Sequence, residues 1–379
     1  MTSTDHEIRA TTERTVSLDT GILVATVTLL CIGIVMMHSA SSVISLQKFH
    51  DAFYYAKRQL MWAGLGVVGM LWMARYDYHR LHRLAPKLAA ASFVFLAVVL
   101  IPGVGRSING SKAWLGVGSF GIQPSEFAKL AMVIFLAHYL AESGARMESL
   151  RKGFLPPLLM ALAAVGLIML EPDLGQSVVI MGTTLILLFA AGARLTHLGY
   201  LAGLGVAGFA GLVAMAPYRI QRMTSFLNPW KDPLDTGYQI IQSLYALGSG
   251  GLLGLGLGQS RQKYLYLPEP QTDFVYAILG EELGFLGAAA VLLLFAVLVW
   301  RGFRAAVYAP DRFGSLLATG ITGMIAVQVL INVGVVTGSI PATGVTLPFI
   351  SYGGSSLTLM LTGVGILLNI SRQARAQIH

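Results

Sequence analysis

The chain has 379 residues, of which 55% are hydrophobic and only 12% charged, with a formal net charge of +8. That composition excludes a soluble domain of this length and points to a polytopic membrane protein. The single cysteine, Cys31, excludes an internal disulfide and any cysteine metal cluster, and a packing role is expected for it.

Residues 1–18 are polar, mixed in charge and read as a cytoplasmic tail. The apolar segment that follows is too long for a signal-peptide core and is expected to be retained. Ten segments have about the length an α-helix needs to cross a hydrocarbon core of about 30 Å. They lie near 19–43, 56–74, 88–101, 124–141, 154–170, 174–191, 195–216, 273–300, 313–336 and 348–370. The expected fold class is therefore all-α, with a ten-helix membrane domain over 19–372 and a short cytoplasmic tail at 373–379. Orientation follows from basic residues in the short loops: Arg75, Arg80, Arg83 and Lys87, then Arg146, Arg151 and Lys152, then Arg194, then Arg301, Arg304 and Arg312, with Arg372 and Arg375 on the tail. The loops around Glu171 and Ser339 hold none, so both termini are expected in the cytoplasm. Two extracytoplasmic segments, 102–123 and 217–272, carry cations as well, but long loops escape the rule. Within the second, residues 237–257 alternate apolar residues with glycines and read as short helices or re-entrant turns, whose backbone needs a protein-lined cavity.

Three carboxylates interrupt the eighth segment. Asp273 is expected at its outer boundary, with Glu281 and Glu282 roughly 12–14 Å deeper. On an unbroken helix Glu281 and Glu282 diverge by about 100°, so the three cannot share one small site. The preferred reading of Glu281 and Glu282 is pairing with polar groups of neighbouring helices. In the fourth segment Pro124 suits the first helical position, and Glu126 and Lys129 fall at i and i+3 on one face. An ion pair that deep is costly unless something uses it, although it can also be purely structural. Glu171 and Asp173, in the turn EPDLGQ, add two outer carboxylates. Arg106, Lys112, Arg219, Arg222 and Lys263 are outer cations, either lipid-headgroup anchors or a cradle for phosphate. Gln271, two residues before Asp273, joins the substrate-binding candidates. His38, His138 and His197 stand alone and are not expected to be ligands.

A carboxylate among cations at the outer boundary suits chemistry on an anionic lipid, the cations holding phosphate and the carboxylate handling a proton. A proton pump would need ionisable groups through the membrane. Below Glu282 the sequence offers only amides such as Gln328 and Asn332.

The strings PGVGRSINGSKAWLGVGSFGIQPSEFAKLAM, EPDLGQS, LGQSRQKYLYLPEPQTDFVYAILGEELGFLG and GVVTGSIPATGVTLPFISYGGSSL resemble, in order and over nearly the whole chain, the SEDS family, which includes FtsW, RodA and SpoVE. The likeness is greatest to its SpoVE/FtsW branch. The resemblance implies a peptidoglycan glycosyltransferase of the bacterial cytoplasmic membrane that polymerises lipid II. It also implies a class B penicillin-binding protein as partner, within a division, elongation or sporulation assembly, and no nucleic acid. It maps the essential aspartate of the TDF motif onto Asp273, the Glu and Lys of QPSE-x-x-K onto Glu126 and Lys129, and the Asp of EPDLG onto Asp173. One departure stands out: many relatives place Arg directly before the Trp that here is Trp114, whereas this chain has Ala113, so Lys112 or Arg106 could supply that charge.

The expected reaction joins two lipid-linked disaccharides with loss of polyprenyl pyrophosphate. Asp273 would be the general base, and Lys129, with Arg106, Lys112, Arg219 and Arg222 in some combination, would neutralise the leaving group, Glu126 positioning Lys129. No bound cofactor is written in the sequence, though clustered carboxylates and a pyrophosphate could recruit a divalent cation such as Mg or Mn. The rivals are a lipid II flippase and a scaffold that only recruits the transpeptidase. Candidate residues gathered at the outer face, away from the midplane where transporters usually place their sites, favour the enzyme.

Overall fold

In the computed structural model, residues 18–108, 111–117, 120–214, 226–235 and 237–378 are described. Eleven α-helices are found among them: α1 (Thr20–Phe49), α2 (Tyr54–Arg75), α3 (His79–Leu100), α4 (Pro124–Ser143), α5 (Leu155–Leu170), α6 (Leu174–Ala190), α7 (Leu195–Ala214), α8 (Tyr238–Gly250), α9 (Val275–Val307), α10 (Arg312–Val336) and α11 (Gly354–Ile378). Each of the ten apolar segments contains a helix, although the last starts only at Gly354 and residues 348–353 are loop, and α8 accounts for the short helix expected after residue 237. By length and composition, α1, α3, α9, α10, α11 and the stretch Leu150–Leu170 are able to cross a membrane, and α6 is apolar but shorter. The chain is a multi-pass membrane protein.

The first long loop is not irregular. Residues Arg106–Ile108 (β1), Ser111–Val117 (β2) and Phe120–Ile122 (β3) form an antiparallel sheet in the order β1-β2-β3, with Arg106 opposite Trp114. The pairing satisfies the backbone polar groups of a loop that returns from α3 to α4.

The helices run between two ends. At one, Asn369 of α11 donates to the carbonyl of Ala74 at 2.9 Å, Arg312 to that of Ala191 at 3.1 Å, and Arg301 stands 3.7 Å from Asp19. Here Asp19 caps α1 by accepting from the Ile22 amide, and Asp311 caps α10 through the Gly314 amide. At the other end, Gln123, Asp173, Asp273, Val345 and Ser355 come together. Cys31 is exposed on α1, so the expected packing role is corrected.

The eighth expected segment departs from a plain helix in two ways. It starts at Val275, which leaves Asp273 in the turn before it, and it is broken at Gly284 (φ 69°, ψ −172°). That conformation is essentially confined to glycine. The break frees backbone groups, and the strand-like stretch after α8 takes them up: Leu255 and Gly256 donate to the carbonyls of Glu281 and Glu282, and Phe285 and Leu286 donate to those of Gly251 and Leu252. The re-entrant reading of 237–257 thus finds its reason, since unpaired backbone is expensive inside a bilayer.

Candidate active site

Pro124 opens α4, and the first turn buries Glu126 and Lys129 to 3% and 2% exposure. Their side chains form an ion pair, Lys129 Nζ to Glu126 Oε2, at 2.9 Å. The other carboxylate oxygen of Glu126 accepts from Gln176 Nε2 at 2.9 Å. Gln176 is in turn fixed by its own main chain, because Asp173 caps α6 and accepts from the Gln176 amide at 3.1 Å. The second oxygen of Asp173 accepts from Gln123 Nε2 at 3.0 Å, which closes a ring of polar contacts between the starts of α4 and α6. Burial raises the Asp173 carboxyl above its ordinary value, and Glu126 nearby adds to this. Glu171, fully buried at the end of α5, is pushed up to about 8 by burial and by Asp173.

Asp273 is held from behind. Asn332 of α10 donates from one amide nitrogen to the carbonyls of Asp273 and Val345, each at 2.8 Å. The Asp273 carboxylate accepts from the Thr272 hydroxyl at 2.8 Å, while burial pushes its pKa above the usual carboxylate range and Glu269 adds to the rise. Gln271 is buried, its side chain donating to Glu269 at 2.8 Å and its carbonyl accepting from the Tyr352 amide at 2.8 Å. The loop 341–353 joins the two groups. Val345 is tethered to Asn332, and Gly175 of α6 lies so close to Thr343 that a Cβ would meet its carbonyl oxygen at 2.5 Å. The structure therefore places the Glu126–Lys129 pair, Asp173 and Asp273 around one uncharged loop at one end of the bundle.

The remaining candidates divide. Arg106 is exposed on β1, and Lys112 lies on β2, with its side chain outside the described residues. Arg219 and Arg222 also lie outside them. Lys263 is engaged inside the fold: its ammonium meets Glu282 Oε1 at 3.3 Å, Ser39 Oγ at 3.2 Å and the Gly258 carbonyl at 2.6 Å. The structure thus places it with a buried carboxylate, 5% exposed against 0% for Glu282. The pairing expected with neighbouring helices is met only in part: Ser39 of α1 donates to Glu282 and Ser249 of α8 to Glu281, while Glu281 accepts mainly from the loop before α9, from Ser260 Oγ at 2.5 Å and the amides of Arg261 and Gln262. Asn332, Gln176 and Gln123 are the residues not singled out from sequence as site members. The last two sat within the quoted motifs, Gln176 three residues after Asp173 at capping distance.

The family profile described as cell cycle protein FtsW/RodA/SpoVE matches residues 20–376. Stage V sporulation protein E of Bacillus subtilis (strain 168) is 56% identical over 365 residues, spanning 96% of this chain and 100% of that protein. The chain belongs to the FtsW/RodA/SpoVE family. A probable peptidoglycan glycosyltransferase FtsW of Trichlorobacter lovleyi is 44% identical over 94% of both chains. Among solved family structures, Thermus thermophilus rod shape determining protein RodA is 31% identical with a TM-score of 0.68, over 94% of this chain and 97% of that one. A chain from a peptidoglycan synthase complex that coordinates polymerization and crosslinking is 30% identical with a TM-score of 0.78, over 94% and 98%. Among the described residues, no group of three Asp, Glu, His or Cys ligands lies at metal-binding spacing at this end of the bundle.

Proposed function

We propose that the chain is a peptidoglycan glycosyltransferase that polymerises lipid II at the outer face of the bacterial cytoplasmic membrane. The observation that carries the reading is Asp273, whose main-chain carbonyl is held by Asn332 at the same end of the bundle as the buried Glu126–Lys129 pair. Supporting it are relatives named as peptidoglycan glycosyltransferases and a structural neighbour within a peptidoglycan synthase complex.

An acceptor sugar hydroxyl attacks the anomeric carbon of the donor, a new C–O bond forms, and the bond to polyprenyl pyrophosphate breaks. Asp273 takes the hydroxyl proton, and its raised pKa brings its basicity closer to the working pH. Lys129 supplies positive charge toward the leaving pyrophosphate, aimed by Glu126, and Gln176 holds Glu126 in turn. Arg106, Lys112, Arg219 and Arg222 supplement that charge. Any divalent cation arrives with the pyrophosphate. The crosslinking step in the neighbouring complex supports a class B penicillin-binding protein as partner. Ten helices cross the membrane, and the end rich in Arg75, Arg80, Arg301 and Arg312 faces the cytoplasm. On a Cys31→Ser background, Gln259→Cys should label in intact cells and Arg75→Cys only after permeabilisation.

The deciding experiment is Asp273→Asn, assayed by gel for glycan made from lipid II in detergent with the transpeptidase of the partner inactivated. The substitution keeps shape and removes basicity, so polymer should fall by about 100- to 10000-fold at equal folding and equal lipid II binding. Detergent abolishes sidedness, so any product comes from catalysis. No glycan from wild type, together with lipid II translocation in liposomes that Asp273→Asn abolishes, would replace the enzyme with a flippase.

A further inference from the structure

The end of the bundle opposite Asp273 carries a cluster that the proposed reaction does not use. His82 lies in the first turn of α3, and His138 and Glu142 lie one turn apart near the end of α4. Their ligand atoms all fall within 4.8 Å of one another. His82 Nε2 and His138 Nδ1 each stand 3.8 Å from one atom, Glu142 Oε1. That is too long for a hydrogen bond. It is close to the edge of a coordination tetrahedron, since two ligands about 2.1 Å from one ion lie about 3.4 Å apart. A few tenths of an ångström of side-chain adjustment would close the difference.

Two further observations point to a ligand. The imidazoles meet edge to face, with centroids 4.3 Å apart and planes at 71°, and Phe313 of α10 edges against His82 at 4.8 Å and fixes its plane. His138 Nδ1 is buried with no hydrogen-bond partner. A buried polar atom left unsatisfied is costly, and a metal ion would satisfy it. Glu142 is 60% exposed in its side chain, which gives an ion a route in from water.

We propose that His82, His138 and Glu142 form a binding site for a transition-metal cation of the zinc class. Two imidazoles and one carboxylate suit such an ion, whereas magnesium and calcium take oxygen donors. The bound ion would tie α3 to α4. These helices are already joined at the far end through the β-sheet, so the metal closes the pair at both ends and braces the helix that carries Glu126 and Lys129.

The test uses the full chain in detergent, free of any polyhistidine tag, titrated with Co²⁺ alone and followed by visible absorption. A saturable band at one equivalent, displaced by Zn²⁺ and unaffected by excess Mg²⁺, is expected. His82→Asn and Glu142→Gln, both at partly exposed positions, should each weaken Co²⁺ binding by about tenfold or more. Zn²⁺ should raise the thermal midpoint of wild type and leave that of His82→Asn unchanged. Wild type that shows no Co²⁺ band would overturn the site, as would a band and a thermal shift that survive His82→Asn.

Discussion

Lys263 Nζ lies 3.3 Å from Glu282 Oε1, with the lysine side chain 5% and the glutamate 0% exposed. A cation from the loop before α9 thus neutralises a carboxylate inside the bundle. Removing one partner of a buried pair leaves an uncompensated charge and costs about 3–5 kcal/mol. Lys263→Met should therefore lower the thermal midpoint in detergent markedly, and adding Glu282→Leu should restore part of it. A midpoint unchanged in Lys263→Met would show that the pair does not hold the loop.

The Glu126–Lys129 pair should respond differently, in activity first. Lys129→Ala removes charge stabilisation of the leaving group, a loss of about 3–4 kcal/mol of barrier, or roughly 100- to 1000-fold. Glu126→Gln keeps a hydrogen-bonding partner for Gln176 and only loosens the aim of Lys129, so its loss should be smaller. Lipid II turnover by the purified variants measures both. The reverse order would put the negative charge, not the positive, at the reacting centre.

The state of Asp273 predicts a pH profile. A general base must be ionised, so polymerisation should rise with pH through the Asp273 pKa, and burial places that limb above the ordinary aspartate value. The Thr272 hydroxyl opposes the shift by donating to the carboxylate at 2.8 Å. Thr272→Val should therefore move the acid limb to higher pH. A limb that stays in place would assign it to another group.

Glu171 gives a stability signature. Its pKa is raised from 4.5 to about 8, so across that window the folded chain keeps a proton that the unfolded chain releases. Stability should fall as pH rises from about 4.5 to about 8. Glu171→Gln removes the titration, so the variant should melt higher than wild type at pH 8 and show a flatter dependence below it. Parallel pH slopes in the two proteins would exclude this carboxyl as the source.

These sites differ in how openly the sequence announces them. The helices were legible because each apolar run had the length of a membrane crossing. Glu126 with Lys129 was legible because the pair lies within one turn, whereas Asp173 with Gln176, at the same spacing, was not singled out. Lys263 with Glu282 and Asn332 with Asp273 were not, because an apolar helix carries no periodic signal for which neighbour its few polar groups will meet. The break at Gly284 was not foreseen, nor was the reach of one loop residue, Ser260, to both glutamates that precede the break, its hydroxyl to Glu281 and its amide to Glu282. The sheet over 106–122 was hidden because two of its three strands have only three residues and glycines interrupt the stretch. His138 stood alone in sequence because its neighbour His82 comes from a different helix.

The backbone pairing across the break in α9 has a mechanical consequence. The outer part of that helix, with Asp273 before its first turn, is fastened by main-chain bonds to 251–256, and Glu281 and Glu282 grip 260–263 from the same place. The same segment is also bonded beyond the break, through Phe285 and Leu286, so it splints the helix across Gly284 and ties the start of α9 to residues 251–263 as one unit.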